Sequence, residues 1–428
     1  MPSPRLSAAE MLRDILEKKI FLSDVRSVLD SFSSQDKAFA NMLLLTALRH
    51  LVYLEKVLST YVKKKLPAKA ALVRYFLLLG ITEILYLKTP DYAVINTYVD
   101  LTKKQADKYI SGFVNAVLRR VCRDSANLIA DDSGAFFPPA FRKMLASSYS
   151  PHQLDQIEKA SLLEPPLDIS VKDSPAAWAT KLNAERLPLD SLRLHDKSNI
   201  SELDGYQQGA WWVQDFAASL AVKTLLPIGL KNLRVLDLCA APGGKTAQLL
   251  SAGALVTSLD VSPERLQTLR QNLQRLQLSA SEIICADALA YLQNFTAQPF
   301  DAVLLDAPCS ATGTLRRHPE VVHLKTIADI KRQISLQRQI LQHLKPAVKV
   351  GGFVVYCTCS LHHGEGEEQI KDFLAANPDF KLQELSSVLP DLPAEMFTRE
   401  GFIRTLPYHL SAQGGIDGFF IARLQRIR

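Results

Sequence analysis

The 428-residue sequence contains no long hydrophobic run and only six cysteines. No segment approaches the roughly 18 consecutive apolar residues that cross a bilayer, and charged residues interrupt the N-terminal stretch where a signal peptide needs an apolar core. So few cysteines in a chain of this length favour reduced thiols over a disulfide framework. These absences argue against membrane and disulfide-rich secreted proteins, and they predict a cytoplasmic location with no membrane partner.

The composition is that of a globular protein without internal repeats or low-complexity segments. With 47% hydrophobic and 22% charged residues, the chain can form two or three domains with sizeable cores. Its charge is distributed unevenly. Residues 1–123 contain 20 Lys and Arg against 11 Asp and Glu, a net charge of +9, whereas the whole chain carries +6.

The most informative segment, Val235–Thr246, reads Val-Leu-Asp-Leu-Cys-Ala-Ala-Pro-Gly-Gly-Lys-Thr. Its apolar start, residues 235–238, predicts a buried parallel strand, and the Pro-Gly-Gly turn leads into a helix that begins near Lys245. Glycine lets a ligand approach the backbone, and the first N–H groups of a helix lack partners. The segment therefore predicts a loop that holds a nucleotide-like cofactor.

A phosphate-binding P-loop is the rival interpretation of this segment, because Gly244-Lys245-Thr246 has the ending of that motif. The full motif requires a glycine where this chain has Cys239. The mismatch disfavours an ATPase.

Acidic residues follow three further apolar segments that are predicted as strands. Asp260, Asp287 and Asp306 follow residues 254–259, 282–285 and 302–305, respectively. The carboxyl ends of parallel strands meet at one edge of an open α/β sheet, where ligands bind, so these acids predict a shared site. Asp260 there either holds a ribose hydroxyl pair or caps the next helix.

Cysteines follow two of the predicted strands. Cys309 comes four residues after the predicted strand 302–305. Gly351-Gly352 leads into a later strand, residues 353–356, which is followed by Cys357-Thr358-Cys359-Ser360. The alternation of strands and helices predicts a doubly wound α/β sheet.

Three separated motifs now carry a resemblance: Asp237–Thr246, Asp306–Pro319 and Thr358-Cys359-Ser360. They resemble the RNA cytosine-5 methyltransferases that use S-adenosylmethionine, in particular the bacterial 16S ribosomal RNA enzymes of the Sun/Fmu type. The resemblance implies a Rossmann-like methyltransferase domain. It also implies methyl transfer to C5 of a cytosine in small-subunit ribosomal RNA.

Cytosine C5 is a poor nucleophile, so this chemistry needs a thiolate that adds at C6. The resemblance gives that role to Cys359, makes Cys309 assist release of the adduct, and places Asp306 against the cytosine edge and the cofactor. It implies cofactor contacts from Cys239, Ala240, Ala241, Pro242, Gly243, Gly244, Lys245, Asp260, Asp287 and Asp306.

The choice of nucleophile has two alternatives. Alternation along a strand puts Cys357 on the same face as Cys359, so by position either could attack. The Thr-Cys-Ser match favours Cys359, and Cys357 is expected to be a small buried hydrophobe. Cys309 is the other alternative, because the Pro-Cys cysteine attacks in DNA cytosine methyltransferases.

His362 and His363 follow these cysteines and suggest a zinc site of the C-x-C-x-x-H-H type. The spacing does not fit a structural zinc site, and a metal would consume the thiolate that methyl transfer needs. We expect no metal and two exposed loop histidines. The chain departs from the family pattern twice, with Gly364-Glu365-Gly366 in place of Glu-Glu-Asn and Ser170-Val171-Lys172 in place of Arg-Val-Asn.

The first part of the chain is predicted to be helical. It starts with a capping box at Ser7 and Glu10, and residues 42–51, 73–87 and 113–121 are largely apolar. It resembles the NusB-like RNA-binding domain of some bacterial members of the family. Candidate phosphate contacts are Lys63, Lys64, Lys65, Lys103, Lys104, Arg119 and Arg120. The alternative is a solvated basic face with no ligand.

Three domains are expected. They are an all-α NusB-like RNA-binding domain (1–130), a linker with a small α/β element (131–212) and the methyltransferase domain (213–428). Trp211 and Trp212, near a domain junction, are expected to be packing residues. We expect a monomer; the alternative to an enzyme is a non-catalytic RNA-binding factor in ribosome assembly or antitermination.

Overall fold

The computed structural model describes residues 3–63, 70–105, 108–131, 134–195 and 199–428. The chain divides into two compact units. The helical unit comprises Met1–Leu163 and Leu315–Lys325, and the sheet unit comprises Glu164–Thr314 and Thr326–Arg428.

In the helical unit, amphipathic helices pack around an apolar core. Their bounds are α1 (Pro4–Lys18), α2 (Leu22–Val25), α3 (Ser34–Arg49), α4 (Leu51–Tyr61), α5 (Ala71–Thr82), α6 (Asp91–Gln105), α7 (Lys108–Ala130), α8 (Pro139–Leu145), α9 (Pro151–Leu162) and α15 (Val321–Leu324). The predicted apolar segments 73–87 and 113–121 are helical, with a π-helical turn at Glu83–Leu87. Segment 42–51 covers the end of α3 and the first residue of α4, with a turn at His50 between the two helices.

Helix α1 begins earlier than the sequence predicts. Pro4 is its first residue, and Ser7 is buried inside the helix instead of capping it. Proline suits the first helical position, because its φ is fixed near the helical value and the N–H it lacks would have no helical partner. The predicted capping box at Ser7 and Glu10 is wrong, and Met11, Leu12 and Ile15 form the buried face of the helix.

A buried carboxylate joins three elements of the helical unit. Glu83 is fully buried and accepts hydrogen bonds from Arg5 Nε at 2.7 Å, Arg5 Nη2 at 2.6 Å and the Tyr98 hydroxyl at 2.7 Å. Three donors compensate for the loss of water around this charge, so the carboxylate can remain inside the helical core.

The segment Leu315–Lys325 includes the end of the second motif, Asp306–Pro319, but belongs to the helical unit. Arg49 Nη2 donates to the carbonyl of Arg316 at 2.8 Å, and His323 Nε2 lies 3.0 Å from the carbonyl of Leu48. Burial lowers the pKa of His323 to about 4, so its ring is neutral near pH 7. The Arg-Arg-His-Pro part of the second motif is thus fixed by helical neighbours.

The sheet unit begins with a small antiparallel sheet in the order β2-β3-β1-β4. Its elements are β1 (Leu167–Val171), α10 (Pro175–Lys181), β2 (Glu185–Arg186), β3 (Leu192–Leu194) and β4 (Trp211–Val213). A buried ion pair, with Arg193 Nε 2.7 Å from Asp168 Oδ1, joins β3 to β1.

A larger sheet follows, with strands β5 (Arg234–Leu238), β6 (Leu255–Asp260), β7 (Glu282–Cys285), β8 (Phe300–Asp306), β9 (Val348–Thr358), β10 (Phe380–Gln383), β11 (Ile403–Thr405) and β12 (Phe419–Arg426). Its helices are α11 (Phe216–Lys223), α12 (Gly244–Ser251), α13 (Pro263–Arg275), α14 (Ala288–Gln293), α16 (Ile327–Gln342), α17 (Glu367–Ala376) and α18 (Leu385–Val388). All strands predicted from the apolar segments are confirmed.

The strand order is β10-β12-β9-β8-β5-β6-β7, with β5 to β9 parallel and β12 antiparallel to β9. Neighbouring residues alternate between two apolar cores: Val235 and Val355 face one, and Leu236 and Val354 face the other. Both faces are therefore covered, which confirms the doubly wound Rossmann-like fold. No helix in the described ranges is both long and apolar enough to cross a membrane.

The order also fixes where a ligand can bind. Strand β5 pairs with β6 on one side and with β8 on the other, so the chain reverses direction across the sheet at β5. In open α/β sheets, ligands bind at the carboxyl edge beside such a switch point. The predicted cofactor loop and the predicted acids all follow strands at this edge.

Candidate active site

The loop after β5 turns sharply into α12. Cys239 has a φ of +60°, and Gly243, which precedes the helix, has a φ of +102° that disfavours a side chain. A Cβ on Gly243 would also lie 3.0 Å from Leu269. The Ala240 N–H donates to the carbonyl of Leu259 at 3.0 Å. The loop is therefore held against β6, with the start of α12 at the sheet edge.

Asp260, at the end of β6, fixes the same loop. Its Oδ2 accepts from the Ala241 N–H at 3.1 Å and its Oδ1 from the Ser262 N–H at 3.1 Å. The helix-capping alternative is wrong, because Ser262 caps α13 by accepting from the Arg265 N–H at 3.2 Å. Asp260 is 1% exposed, and Arg265 Nη1 lies 3.4 Å from its Oδ2, so Oδ1 is the oxygen that retains capacity for a second donor.

Asp287 follows β7 and caps a helix. Its Oδ1 accepts from the Ala290 N–H at 2.9 Å, which makes it the N-cap of α14. Helix capping thus engages one of the two carboxylate oxygens of Asp287.

Asp237, inside β5, is a buried acid that the predicted site residues do not include. Its Oδ2 accepts from the Thr246 hydroxyl at 2.5 Å, while its Oδ1 has no hydrogen-bond partner among the described residues. Burial raises the pKa of Asp237 to about 7. A buried acceptor without a partner is costly, so this oxygen marks a position where a donor is expected.

Lys245 and Asp306 form an ion pair across the sheet edge. Lys245 Nζ lies 2.8 Å from Asp306 Oδ2, and the Lys245 ammonium is also 5.1 Å from the centre of the Phe419 ring. Burial acts to lower the pKa of Lys245, but the Asp306 carboxylate, Cys357 and Asp237 together outweigh it, so this pKa is raised. Lys245 is engaged by a carboxylate, unlike the lysine of a P-loop, which reaches phosphates.

The thiols of Cys309 and Cys359 converge from two different loops. Their sulfur atoms are 3.4 Å apart, although the residues are 50 positions apart in sequence. The hydrogen bond with Cys359, together with burial, raises the pKa of Cys309 well above that of an ordinary thiol. Cys309 is therefore held in the protonated form beside the second sulfur.

Cys357 has a different environment. It is fully buried in the apolar core on one face of the sheet, and its sulfur lies 3.5 Å from Asp306 Oδ1. Burial and the nearby Asp306 carboxylate raise its pKa well above the ordinary value. Its burial agrees with the expectation of a small core residue, and Cys359 packs against the same core, as strand alternation predicts.

Glu365 connects the two cysteine loops, a role that the sequence motifs did not indicate. The fully buried carboxylate accepts from the Ser310 N–H at 2.9 Å, the Ser310 hydroxyl at 2.5 Å and the Ser360 hydroxyl at 2.5 Å. Gln337 Nε2 donates to Glu365 at 3.1 Å and to the carbonyl of Pro308 at 2.9 Å. The residue after each cysteine is thus bound to one carboxylate.

The glycines that flank Glu365 have a packing reason. A Cβ on Gly364 would lie 2.8 Å from Ile334, and one on Gly366 would lie 2.6 Å from Arg404 Nη2. Arg404 in turn donates to both oxygens of Glu367, at 3.0 and 2.6 Å, and to the carbonyl of Ser360. The Gly-Glu-Gly departure therefore leaves space for an arginine that supports the Cys359 loop.

The paired histidines are half-buried, so their predicted exposure is wrong. His362 Nδ1 accepts from the Gly364 N–H at 3.0 Å, and His363 Nε2 lies 3.8 Å from Glu367. Burial lowers both pKa values. No group of three or more His, Cys, Asp or Glu side chains that could hold a metal occurs in the part of the chain that the structure describes.

The second departure, Ser170-Val171-Lys172, contacts structural partners. The Ser170 hydroxyl donates to Gln214 Oε1 at 2.9 Å, and Lys172 Nζ donates to the carbonyl of Leu276. Trp211 is fully buried and Trp212 is 5% exposed, as expected for packing residues.

The predicted basic residues of the helical unit occupy three places. Lys63 follows α4, Lys103 and Lys104 lie in the last turn of α6, and Arg119 and Arg120 lie in α7. Lys64 and Lys65 lie outside the described residues.

The doubly wound sheet, the glycine loop at its switch point and the paired thiols together define a Rossmann-like methyltransferase domain. An all-α unit accompanies it.

Two family models match the chain. Residues 225–425 match the model described as 16S rRNA methyltransferase RsmB/F, and residues 2–123 match the NusB family. The ribosomal RNA small subunit methyltransferase B of Pseudomonas putida is 34% identical, over 99% of this chain and 99% of that protein. The chain therefore belongs to the ribosomal RNA small subunit methyltransferase B family.

Solved structures show the same fold. PH0851 superimposes with a TM-score of 0.75 at 20% identity, covering 100% of this chain and 99% of its own. NSun6 from Pyrococcus horikoshii with SFG has a TM-score of 0.57 at 20% identity, covering 68% of this chain and 99% of its own.

Proposed function

We propose that the chain transfers a methyl group from S-adenosylmethionine to C5 of a cytosine in 16S ribosomal RNA, through a covalent bond between a cysteine and C6. The observation that carries this proposal is the 3.4 Å approach of the Cys309 and Cys359 sulfurs, beside an ion-paired aspartate at the sheet edge. The family name supports ribosomal RNA as the substrate class.

The two cysteines are suited to different roles. Cys359 is the nucleophile: its thiolate adds to C6, and the C5–C6 π electrons make C5 nucleophilic. Cys309 remains a thiol because its neighbour and its burial raise its pKa, so it can donate a hydrogen bond to the Cys359 sulfur. After methylation, Cys309 passes its proton to the Cys359 sulfur while it takes the proton from C5. The electrons of the C5–H bond restore the C5–C6 double bond as the S–C6 bond breaks, and both cysteines end as thiols.

Asp306 is suited to the edge of the base. Its side chain is 31% exposed, unlike the buried carboxylates of Asp237 and Asp260, and Lys245 compensates its charge. We assign it the role of accepting a hydrogen bond from the cytosine amino group, which would orient C6 toward Cys359.

S-adenosylmethionine supplies an electrophilic methyl group when it is bound. The loop Cys239–Lys245 with Asp260, Asp287 and Asp306 would hold it, and the partnerless Asp237 Oδ1 beneath the loop fits a site that receives a donor. Asp260 would orient a ribose through its remaining acceptor capacity. The likeness to NSun6 with SFG supports a ligand in this fold.

We also propose the domain roles that the sequence suggests. Residues 1–130 would contact RNA, 131–212 would link the domains, and 213–428 would carry the chemistry. The basic charge of the first part supports this division.

The test is incorporation of a methyl label from S-adenosylmethionine into small-subunit RNA, with 5-methylcytosine mapped in the product. We expect incorporation by the wild type, none by Cys359→Ala, and an RNA adduct that resists denaturation in Cys309→Ala. Cys285→Ala is the matched control, because Cys285 is an exposed thiol outside the paired loops. Wild-type failure on both naked RNA and assembly particles would contradict the proposal and favour a factor that only binds RNA.

A further inference from the structure

The helical unit contains an open groove of about 790 Å³ between the first two turns of α6 and the middle of α7. Its walls include Tyr92 and Asn96 from α6 and Asn115, Arg119 and Arg123 from α7. Asp91, Tyr92 and Asn96 of α6 are exposed along this wall, and Tyr92 itself is 73% exposed. A tyrosine ring this exposed has little packing role, so the groove presents a flat aromatic surface to solvent.

The groove is strongly basic. Arg119 and Arg123 are four residues apart on α7, so their guanidinium groups share one face of the helix, and Arg120 lies beside them. None of these three arginines forms an ion pair with a carboxylate in the described ranges; Arg119 Nε donates to Asn115 Oδ1 at 3.1 Å. Their charges are therefore available to an anion in the groove.

The groove wall includes one carboxylate, that of Asp91. Asp91, in the first turn of α6, lies near the half-buried thiol of Cys122. Burial and this carboxylate raise the pKa of Cys122 to about 11. The groove wall thus contains three arginines and one acid, so the electrostatic potential over the Tyr92 ring is positive.

Arg120 is positioned by an aromatic network at the end of the groove. Its guanidinium lies 5.4 Å from the centre of the Tyr61 ring, and the Tyr61 hydroxyl donates to Asp124 at 2.6 Å. A cation held over an aromatic face keeps its charge and loses little mobility when it binds an anion.

We propose that this groove binds a single-stranded RNA segment, with a base stacked on Tyr92 and the adjoining phosphates on Arg119 and Arg123. An exposed ring needs an unstacked base, which single strands provide and duplexes hide. The amides of Asn96 and Asn115 can donate to and accept from base edges. The inference rests on the proposed function, because it takes RNA as the substrate class and adds where a second contact lies.

The other predicted basic pair supplies a contrast. Lys103 is in an ion pair with Asp100 at 2.8 Å, and Lys103 and Lys104 lie in the last turn of α6, outside the groove wall. Lys103 with Lys104 carries the same charge as Arg119 with Arg123, and all four residues are at exposed helical positions. The double variant Lys103→Ala, Lys104→Ala is therefore a charge-matched control.

The experiment measures binding of a short fluorescein-labelled single-stranded RNA to the full chain over a range of salt concentrations. We expect Arg119→Ala, Arg123→Ala to lower the slope of log affinity against log salt by about 1.4, which corresponds to two lost phosphate contacts, and the lysine control to leave it nearly unchanged. Tyr92→Ala should weaken binding about tenfold, and Tyr92→Phe should restore it.

Three results would overturn the inference. They are equal slopes for the arginine and lysine variants, no effect of Tyr92→Ala, and competition by polyglutamate as strong as by unlabelled RNA, which would point to an acidic protein partner. Circular dichroism confirms that each exposed variant is folded. Methyl incorporation, measured on the same samples, separates the proposals: a wild type that binds with these dependences but never methylates contradicts only the proposed function.

Discussion

The cysteine loops and the arginine groove differ in how their side chains are held. Around the cysteines, the buried Glu365 accepts from Ser310 and Ser360, so each loop has a fixed geometry. In the groove, the side chains of Tyr92 and Arg119 are exposed to solvent. Covalent chemistry needs reacting atoms positioned within fractions of an ångström, whereas phosphate binding tolerates mobile side chains. Damage to the two regions should therefore affect different kinetic constants.

The largest effect is expected from Glu365→Gln, which keeps the shape but removes the charge that accepts from two serines. Displacement of the cysteine loops should lower kcat about 100-fold and leave KM nearly unchanged. The double variant Arg119→Ala, Arg123→Ala should instead raise KM and leave kcat unchanged. Steady-state methylation kinetics measure both.

Glu368→Gln is the control for this prediction, because Glu368 is exposed three residues further along the chain. The Glu365 charge also contributes to the raised pKa of the Cys309 thiol. Glu365→Gln should therefore shift the pH profile of thiol alkylation at Cys309 to lower pH. An unchanged profile together with unchanged kcat would show that Glu365 has no positioning role.

The next effect concerns pH and stability. The pKa of Asp237 is raised to about 7 in the folded chain, above the value of about 3.9 for an unfolded aspartate. The folded state therefore binds its proton more tightly, and stability falls as pH rises from about 4 to about 7. Between about pH 5 and about pH 8, the free energy of unfolding of Asp237→Asn should therefore fall by about 2 kcal/mol less than that of the wild type.

Urea unfolding of the wild type and the variant at both pH values measures this difference. Asp100→Asn, at a fully exposed acid of the helical unit, is the control, and its pH dependence should follow the wild type over this range. Parallel curves for the wild type and Asp237→Asn would mean that Asp237 is charged at both pH values.

The smallest effects come from two glycines, one in each unit. A Cβ at Gly366 would lie 2.6 Å from Arg404, so Gly366→Ala should cost about 1 to 2 kcal/mol of stability by displacing that side chain. Gly112, in the exposed part of α7, has open space where a Cβ would lie, with no neighbouring atom within 4 Å, and Gly112→Ala should stabilise by about 0.5 kcal/mol. Thermal unfolding measures both changes in stability. A change of the same sign in the two variants would contradict the comparison.

Local pattern was sufficient for the strands and the cofactor loop. Apolar runs such as 235–238, followed by a Pro-Gly-Gly turn, determine their own secondary structure, and parallel pairing then brings their ends to one edge. The pairing of Cys309 with Cys359 rested on a resemblance. Spacing alone does not predict this pairing, because the two thiols are 50 residues apart and lie in different loops.

What the sequence could not reveal are contacts made only in the folded chain. Glu365 stands in a departure from the family pattern, and its three serine donors come from residues 5 and 55 positions away. The predicted capping box at Ser7 and Glu10 is wrong because α1 already begins at Pro4. Half-burial of His362 depends on neighbours that periodicity does not identify. Tertiary packing decided each of these cases.

The most direct test of the central claim is to identify the residue that bonds to RNA. Cys309→Ala would be incubated with S-adenosylmethionine and small-subunit RNA, the trapped adduct digested, and the nucleotide-bearing peptide sequenced by mass spectrometry. We predict a methylated cytosine on Cys359. A nucleotide on Cys357, or an adduct that forms in Cys359→Ala and resides on Cys309, would contradict this prediction.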